Sequence, residues 1–307
     1  MWRYLLTRLL AAIPTIIGVV VLVFFAMRVL PGDITDKMVA DFGLSAADIK
    51  RLREQWGLDD PLHVQFARFA GEMARGDLGR SIWSRRLVTD QIAEQLPATA
   101  QLTAAATGIA VAIGVPLGIL AAVRRHSWLD FSSMGVALLG VSMPSFWLGL
   151  LLILLFGVRL GWLPMAGTGG WQFLVLPAFT LGFGASAVIA RLTRSSMLEV
   201  LRQEYVKTAR SKGLHKRTVT WKHALRNAAI PVVTIVGLQI AGLLGGAVLT
   251  ETVFSRQGIG RMAAQAVLEK DFPVAQAIVL LVALTYVAVN LFIDVLYALL
   301  DPRIRYD

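Results

Sequence analysis

Residues 227–250, NAAIPVVTIVGLQIAGLLGGAVLT, run for 24 positions between Arg226 and Glu251 without one charged side chain. An α-helix needs roughly 20 predominantly apolar residues to cross about 30 Å of hydrocarbon, so this stretch can hold one membrane span. Five more charge-free runs cover residues 9–27, 95–123, 131–158, 160–190 and 272–293. The six together occupy half of the 307-residue chain and predict an all-α polytopic membrane protein with six transmembrane helices. Gly161, Pro164, Gly167, Gly169 and Gly170 mark the first part of the fourth run as a loop, which leaves a span from about Gln172 to Ala190. Arg3 and Arg8 resemble the basic start of a signal peptide. The apolar core behind them is longer than the roughly 7–15 residues of such a signal and no A-x-A precedes Arg28, so residues 1–30 read as a retained first span.

Composition agrees with the runs. Hydrophobic residues make up 56% of the chain and charged ones 16%, and the mean hydropathy is +0.64. This balance excludes a soluble globular domain and a disordered chain. With no cysteine there is neither a disulfide nor a thiolate metal site, and His63, His126, His215 and His223 match no common ligand spacing, so no metal is expected. Thirty lysines and arginines against 20 acidic residues give a net charge of +10. If the N-terminus is cytoplasmic, the inner segments hold 16 of these cations: Arg3 and Arg8, Arg124 and Arg125, ten from Arg191 to Arg226, and Arg303 and Arg305. The outer loop 158–171 has only Arg159, and the long outer segment 31–96 has nine basic residues against eleven acidic ones. The positive-inside rule therefore predicts that both termini are cytoplasmic.

The outer segment 31–96 carries helical signals of its own. Ser45 with Asp48 three residues on forms a capping box for a helix ending near Trp56, with Gly57 as its stop. Asp60-Pro61 then opens a second helix in which Leu62, Phe66, Phe69 and Met73 form one apolar stripe before Gly76. That stripe must be covered, by the spans or by the membrane interface.

Between the fourth and fifth spans, the stretch from Arg191 to Asn227 supplies +8 of the net charge. A plain solvated loop would lack its helical order: Val200, Leu201, Tyr205 and Ala209 make a stripe, Arg210 and Lys212 sit in a last turn, and Gly213 follows as a C-cap with Leu214 beyond it. A second helical stretch, about Thr218 to Ala229, leads to Pro231 at the mouth of the fifth span. The pattern reads as a helix–turn–helix at the membrane surface that offers a glycine turn and cations to something in the cytoplasm.

YVKTARSKGLHKRTVTWKHALRNAAIPVV, residues 205–233, resembles the cytoplasmic loop of membrane subunits of binding-protein-dependent ABC importers, in their dipeptide/oligopeptide branch. The likeness covers the whole chain: the start YLLTRLLAAIPTIIGVVVLVFFAMRVLPGD, the outer GDLGRS at 76–81, the fifth-span GLQIAGLLGGAVLTETVF and the tail LLDPRIRY at 299–306 resemble the same branch. The family's loop pattern is Glu-Ala-Ala, three residues, Gly, nine residues, Ile-x-Leu-Pro. With Gly213 as the glycine, the first three positions fall on Lys207, Thr208 and Ala209, of which only the last fits, and the final ones fall on His223, Leu225 and Arg226.

The resemblance implies a type I ABC importer permease fold. It divides the chain into a first span over 1–30, an extracytoplasmic helical segment over 31–96, and a transmembrane domain over 97–307 with a coupling loop at about 199–227. By position, Tyr205, Lys207, Thr208, Ala209, Arg210, Ser211, Lys212, Gly213 and Leu214 inherit the coupling contact with an ATPase. The partners implied are a homologous second permease, two ABC ATPase subunits or domains, an extracytoplasmic substrate-binding protein and the lipid bilayer of a prokaryotic inner membrane, with no nucleic acid. The chain shows no G-x-x-x-x-G-K-[ST] phosphate loop. It is accordingly expected to be non-catalytic and to bind no cofactor, ATP and Mg²⁺ being used by the partner ATPases.

Few polar residues lie inside the spans. Ser142, Ser145, Gln239, Asn290 and Asp294, with Glu251 at the outer edge of the fifth span, are the candidates for lining a translocation path. Gln239 could equally tie two helices together, and Asn290 and Asp294, four apart on one face, read first as bonding between helices and second as lining a path. Pro144 and the glycines Gly237, Gly242, Gly245 and Gly246 read as sites of kinking and close helix packing. A secondary transporter or channel would show an inverted repeat, and an intramembrane enzyme would show a paired acid and base; neither is visible. The substrate is expected to be a small peptide of two to several residues, with glutathione, a nickel chelate or haem as the alternatives within the family.

Overall fold

Backbone amides in hydrocarbon have no partner except one another, so long apolar runs must become helices. In the computed structural model, which describes residues 2–29, 45–57 and 59–300, the regular elements are helices, with one isolated bridge between Arg80 and Leu87. They are α1 (Trp2–Val29), α2 (Ala46–Trp56), α3 (Leu62–Ala74), α4 (Val88–Val123), α5 (Trp128–Ser142) and α6 (Ser145–Leu152), the last continued by a π-helical stretch, Ile153–Arg159. α7 (Gln172–Leu201), α8 (Glu204–Ser211) and α9 (Lys216–Thr218) follow. A π-helical turn, Val219–Ala224, then leads into α10 (Leu225–Val253), and α11 (Ile259–Glu269) and α12 (Phe272–Leu300) complete the order. The tail with Arg303 and Arg305, and residues 30–44 at the start of the outer segment, lie outside the described residues.

Four stretches are long and apolar enough to cross a membrane: Val88–Val123, Gln172–Leu201, Lys216–Gly245 and Phe272–Ile293. α1 contributes a shorter apolar stretch, Leu10–Ala26. The third charge-free run is not the single helix that its length suggested: α5 and the helix from Ser145 to Arg159 meet at 103°. The cause is Pro144. A proline lacks the amide that would continue the ladder and pushes its predecessor out of the α region, and Met143 is extended, at φ −85° and ψ 124°. The fourth span starts at Gln172 as expected but runs past Ala190 to Leu201. Arg191 and Arg194 end the charge-free run without ending the helix, because Thr193, Ser196, Met197 and Val200 keep a buried face going.

The chain divides into two compact units. In the larger, which holds Pro97–Arg261 and the chain from Thr285, α7 is the central element. Leu102, Ala106 and Ala110 of α4, Ala178, Leu181, Ala185 and Ile189 of α7, and Val232, Leu243 and Ala247 of α10 form one core. Lipid is as apolar as these side chains, so close packing rather than escape from water must hold the helices together, and glycines provide it. A Cβ on Gly114 would lie 2.6 Å from the Ser186 carbonyl oxygen, one on Gly118 2.6 Å from that of Ala190, and one on Gly182 2.6 Å from that of Ala106. Gly237 meets the close packing expected of it, against Ile293 of α12, whereas Gly242 and Gly245 have nothing within 4 Å.

The smaller unit holds Leu6–Leu96 and Met262–Leu284. Ser45 caps α2, accepting from the Asp48 amide, and Gly57 closes it at φ +61°, as the capping box required. The middle of the α3 stripe packs on the first span: Phe24 of α1 is fully buried, with its ring 5.2 Å from that of Phe66 and 5.6 Å from that of Phe69, while Leu62 at the start of the stripe is exposed. The expectation that this stripe packs on a span is met at its two phenylalanines and not at Leu62.

Candidate functional site

The basic segment folds as a capped helix bolted onto the ends of the spans. The chain breaks at Arg202–Gln203, so Val200 and Leu201 finish α7 while Tyr205 and Ala209 belong to α8; the stripe that looked continuous in sequence is split between two helices. Gln203 is extended ahead of α8, and Glu204 places an acidic side chain in its first turn. Val206 is fully buried with Met197 and Val200 of α7, Ile119 and Ala122 of α4, and Val219, Ala224 and Ala228, and Ala209 packs on the same cluster. The Tyr205 hydroxyl accepts from Asn227 Nδ2 at 2.6 Å and donates to the His223 carbonyl at 3.5 Å. This face fixes the helix.

The opposite face is free. Lys207 pairs with Glu204 at 2.6 Å and the Thr208 hydroxyl donates to the Glu204 carbonyl, while Arg210, Ser211, Lys212, Gly213 and Leu214 are exposed. The helix ends in a Schellman turn: the Gly213 amide donates to the Arg210 carbonyl at 3.0 Å, the Leu214 amide reaches back to that of Ala209 at 3.3 Å, and Gly213 has φ +79°. His215 Nδ1 then accepts from the Arg217 amide, and the helix through Leu225–Val253 passes Pro231 without stopping.

Residues expected to line a path are placed differently from one another. Ser142 and Ser145 flank the Pro144 elbow, the first exposed and the second half-buried. Gln239 does the tying that was one of its two readings, its Nε2 donating to the Ala185 carbonyl of α7 at 3.5 Å. Glu251 is fully buried and its carboxylate is occupied within the chain. Oε1 accepts from the Thr99 hydroxyl at 2.6 Å and Oε2 from the Arg261 amide at 3.0 Å, and the Thr99 oxygen in turn accepts from the Ile259 amide at 2.8 Å. These bonds satisfy the open amides at the start of α11, and a Cβ on Gly258 would overlap the Glu251 carboxylate. The expectation that Glu251 is presented to a path is therefore corrected: its oxygens cap a helix. Asn290 is half-buried on α12, and the side chain of Asp294 lies outside the described residues.

In the smaller unit, the loop after Gly76 is held by Asp271. Its Oδ2 accepts from the Ser81 hydroxyl at 2.5 Å and its Oδ1 from the Ile82 amide at 3.2 Å, while Trp83 Nε1 donates to the Glu269 carbonyl at 2.9 Å. Burial pushes the Asp271 carboxyl above the usual carboxylate range, against the pull of these donors. Among the described residues no group of histidines and carboxylates could hold a metal ion.

Residues 114–306 match the family described as binding-protein-dependent transport system inner membrane component, and residues 1–103 match the N-terminal membrane component of the same systems. The chain belongs to this family. It is 47% identical over 306 residues to the glutathione transport system permease protein GsiC of Salmonella paratyphi A and 46% identical to that of Escherichia coli K12, with 100% of both chains covered in each case. Among solved structures, it resembles the MetNI methionine ABC transporter in an inward-facing crystal form, at a TM-score of 0.61 and 19% identity over 69% of this chain and 97% of that one. The fold is therefore that of a type I ABC importer permease, and the protein is a multi-pass membrane subunit.

Three features of this permease escaped the sequence reading. Val206, the most buried residue of α8, sits between Tyr205 and Lys207 with no pattern to distinguish it. Gly114 and Gly118 are four apart, a small-xxx-small signal that could have been found. The third is a two-bond ion pair, Arg194 Nε to Asp130 Oδ1 at 2.6 Å and Nη2 to Oδ2 at 2.9 Å, whose partners lie 64 residues apart.

Proposed function

We propose that this permease forms half of the translocation path of an ATP-driven importer for a short peptide-like solute, and that the solute is glutathione. The observation that carries the choice is the full-length identity to relatives named as glutathione permeases. It favours what was the alternative in the sequence reading over dipeptides and oligopeptides in general, and glutathione is itself a modified tripeptide. In this reading the exposed turn from Lys207 to Leu214 seats against an ABC ATPase. α8 is rigid enough to transmit displacement because Val206 and Tyr205 lock its other face to three spans. Two ATPase subunits or domains use ATP and Mg²⁺, a homologous permease supplies the other half of the path, and an extracytoplasmic binding protein delivers the solute. This chain is non-catalytic, and both its termini are cytoplasmic. Ser142, Ser145, Asn290 and Asp294 are the candidates left to touch the solute.

The test is accumulation of labelled glutathione and of labelled dipeptides by vesicles carrying the assembled importer, with ATP inside. Glutathione should accumulate well above the dipeptides. Accumulation of dipeptides or of nickel with glutathione inert would sink the assignment.

A further inference from the structure

We propose that the Asp130–Arg194 pair is the positioning contact that makes α5 follow α7 when the turn Glu204–Leu214 is displaced, so that movement of the coupling turn reaches the elbow at Pro144. This rests on the coupling role proposed above. The chain of contacts is continuous within one unit. Val206 of α8 is buried against Met197 and Val200 of α7. Arg194, one turn from Met197, grips Asp130 in the first turn of α5 with two bonds, and the same carboxylate accepts from the His126 amide at 3.0 Å. Asp130 is almost fully buried, and Ser127 caps the helix beside it.

The other buried residues that α5 presents are small and uncharged, with Gly140 set against the ring of Phe183 of α7. The buried residues of α5 are Asp130, Ser133, Ala137 and Gly140, one stripe at helical spacing. Small side chains allow close approach, but their dispersion contacts are non-directional, and a helix can slide or roll on them with little change in energy. A guanidinium fork on a carboxylate has one geometry. On this stripe the two-bond ion pair is the directional contact that sets both the register and the rotation of α5. Its position, at the end of α5 nearest the coupling turn, with the elbow at the other end, is where a rigid link would act.

The experiment uses the assembled importer in vesicles and reads ATP hydrolysed per solute accumulated. Asp130→Asn should raise that ratio at least fivefold while the amount of complex stays within twofold of the parent. Arg194→Lys, which keeps the charge and loses the fork, should raise it less. If transport and hydrolysis fall together with the amount of complex and the ratio stays constant in both variants, the pair is only a structural staple and the proposal fails. Should Asp130→Asn not accumulate, the ratio in Arg194→Lys decides alone.

A rescue separates positioning from charge. The chain has no cysteine, and a Cβ on Gly140 would lie 3.0 Å from that of Ala187, so the helices touch there and need part by only about 0.5 Å to reach the roughly 3.5–4.5 Å of a disulfide. Gly140→Cys with Ala187→Cys would clamp α5 to α7 by another bond. In the Asp130→Asn background, oxidation should return the ratio to within twofold of the parent and reduction should undo it. No restoration by an intact crosslink overturns the proposal. Failure of the coupling reading itself shows elsewhere: Arg210→Glu would then leave both ATPase binding and transport normal.

Discussion

The glycine at the end of α8 offers the sharpest test of the coupling turn, because its backbone and its surroundings can be separated. Gly213 sits at φ +79°, and a Cβ there would meet nothing within 4 Å of this chain. In the permease alone, replacing it therefore adds backbone strain and no clash. For an ordinary residue the left-handed region is unfavourable by about 1–2 kcal/mol, and since about 1.4 kcal/mol is tenfold in an equilibrium constant, Gly213→Ala should depopulate the capped turn and weaken docking of the ATPase by up to roughly 5- to 30-fold if docking needs that turn. Asparagine tolerates this region, so Gly213→Asn should be the mildest variant, and the β-branched Gly213→Val the most severe. Titration of detergent-solubilised permease with its ATPase, followed by transport in vesicles, measures both consequences. Normal binding and transport by Gly213→Val would refute the coupling role. If Gly213→Asn were as damaging as Gly213→Val, the fault would be bulk against the partner, and the strain argument would be wrong.

Three further outcomes are expected. Arg210→Glu reverses an exposed charge in the last turn of α8, which should destabilise that turn by only about 0.3–1 kcal/mol; insertion should be unchanged while ATP hydrolysis is uncoupled from transport several-fold, and normal coupling would count against the turn as the ATPase contact. Gly118→Leu places a Cβ 2.6 Å from the Ala190 carbonyl and 2.6 Å from Thr193 Cβ, an overpacking of about 1–3 kcal/mol or more, so its unfolding temperature should fall, whereas Gly108→Leu, with nothing within 4 Å on the same helix, should be neutral. Burial holds the Asp271 carboxyl above its unfolded pKa. Its contribution to stability is thus complete below the unfolded value and is lost as pH rises through the raised folded one. Protection of the 79–88 backbone against hydrogen exchange, corrected for the intrinsic rate, should decline with rising pH in the parent and stay flatter in Asp271→Asn; protection that grows with pH in the parent would overturn the sign.

What the sequence determined by itself is whatever depends on a few neighbouring residues or on composition. Whether a segment can enter hydrocarbon is set by the side chains it carries, so four of the six charge-free runs located helices long and apolar enough to cross a membrane, with Gln172 found as the start of α7. Caps are settled within about five residues, and Ser45, Gly57 and Gly213 took the conformations their neighbours required. A proline removes its own amide, so a break at Pro144 was legible although its 103° was not.

Only the tertiary structure decided where the buried polar groups end. Asp130 with Arg194, Thr99 with Glu251 and Ser81 with Asp271 are joined across 64, 152 and 190 residues. Sequence shows that such a carboxylate is expensive to bury and must find a partner. It could not show that Glu251 would cap α11 rather than face a path, or that α7 would run on past Arg191 because its other face stays packed. Those outcomes follow from which helices come within hydrogen-bonding distance of one another, and that distance is set by the glycines and small side chains of all the helices packed within a unit rather than by any one segment.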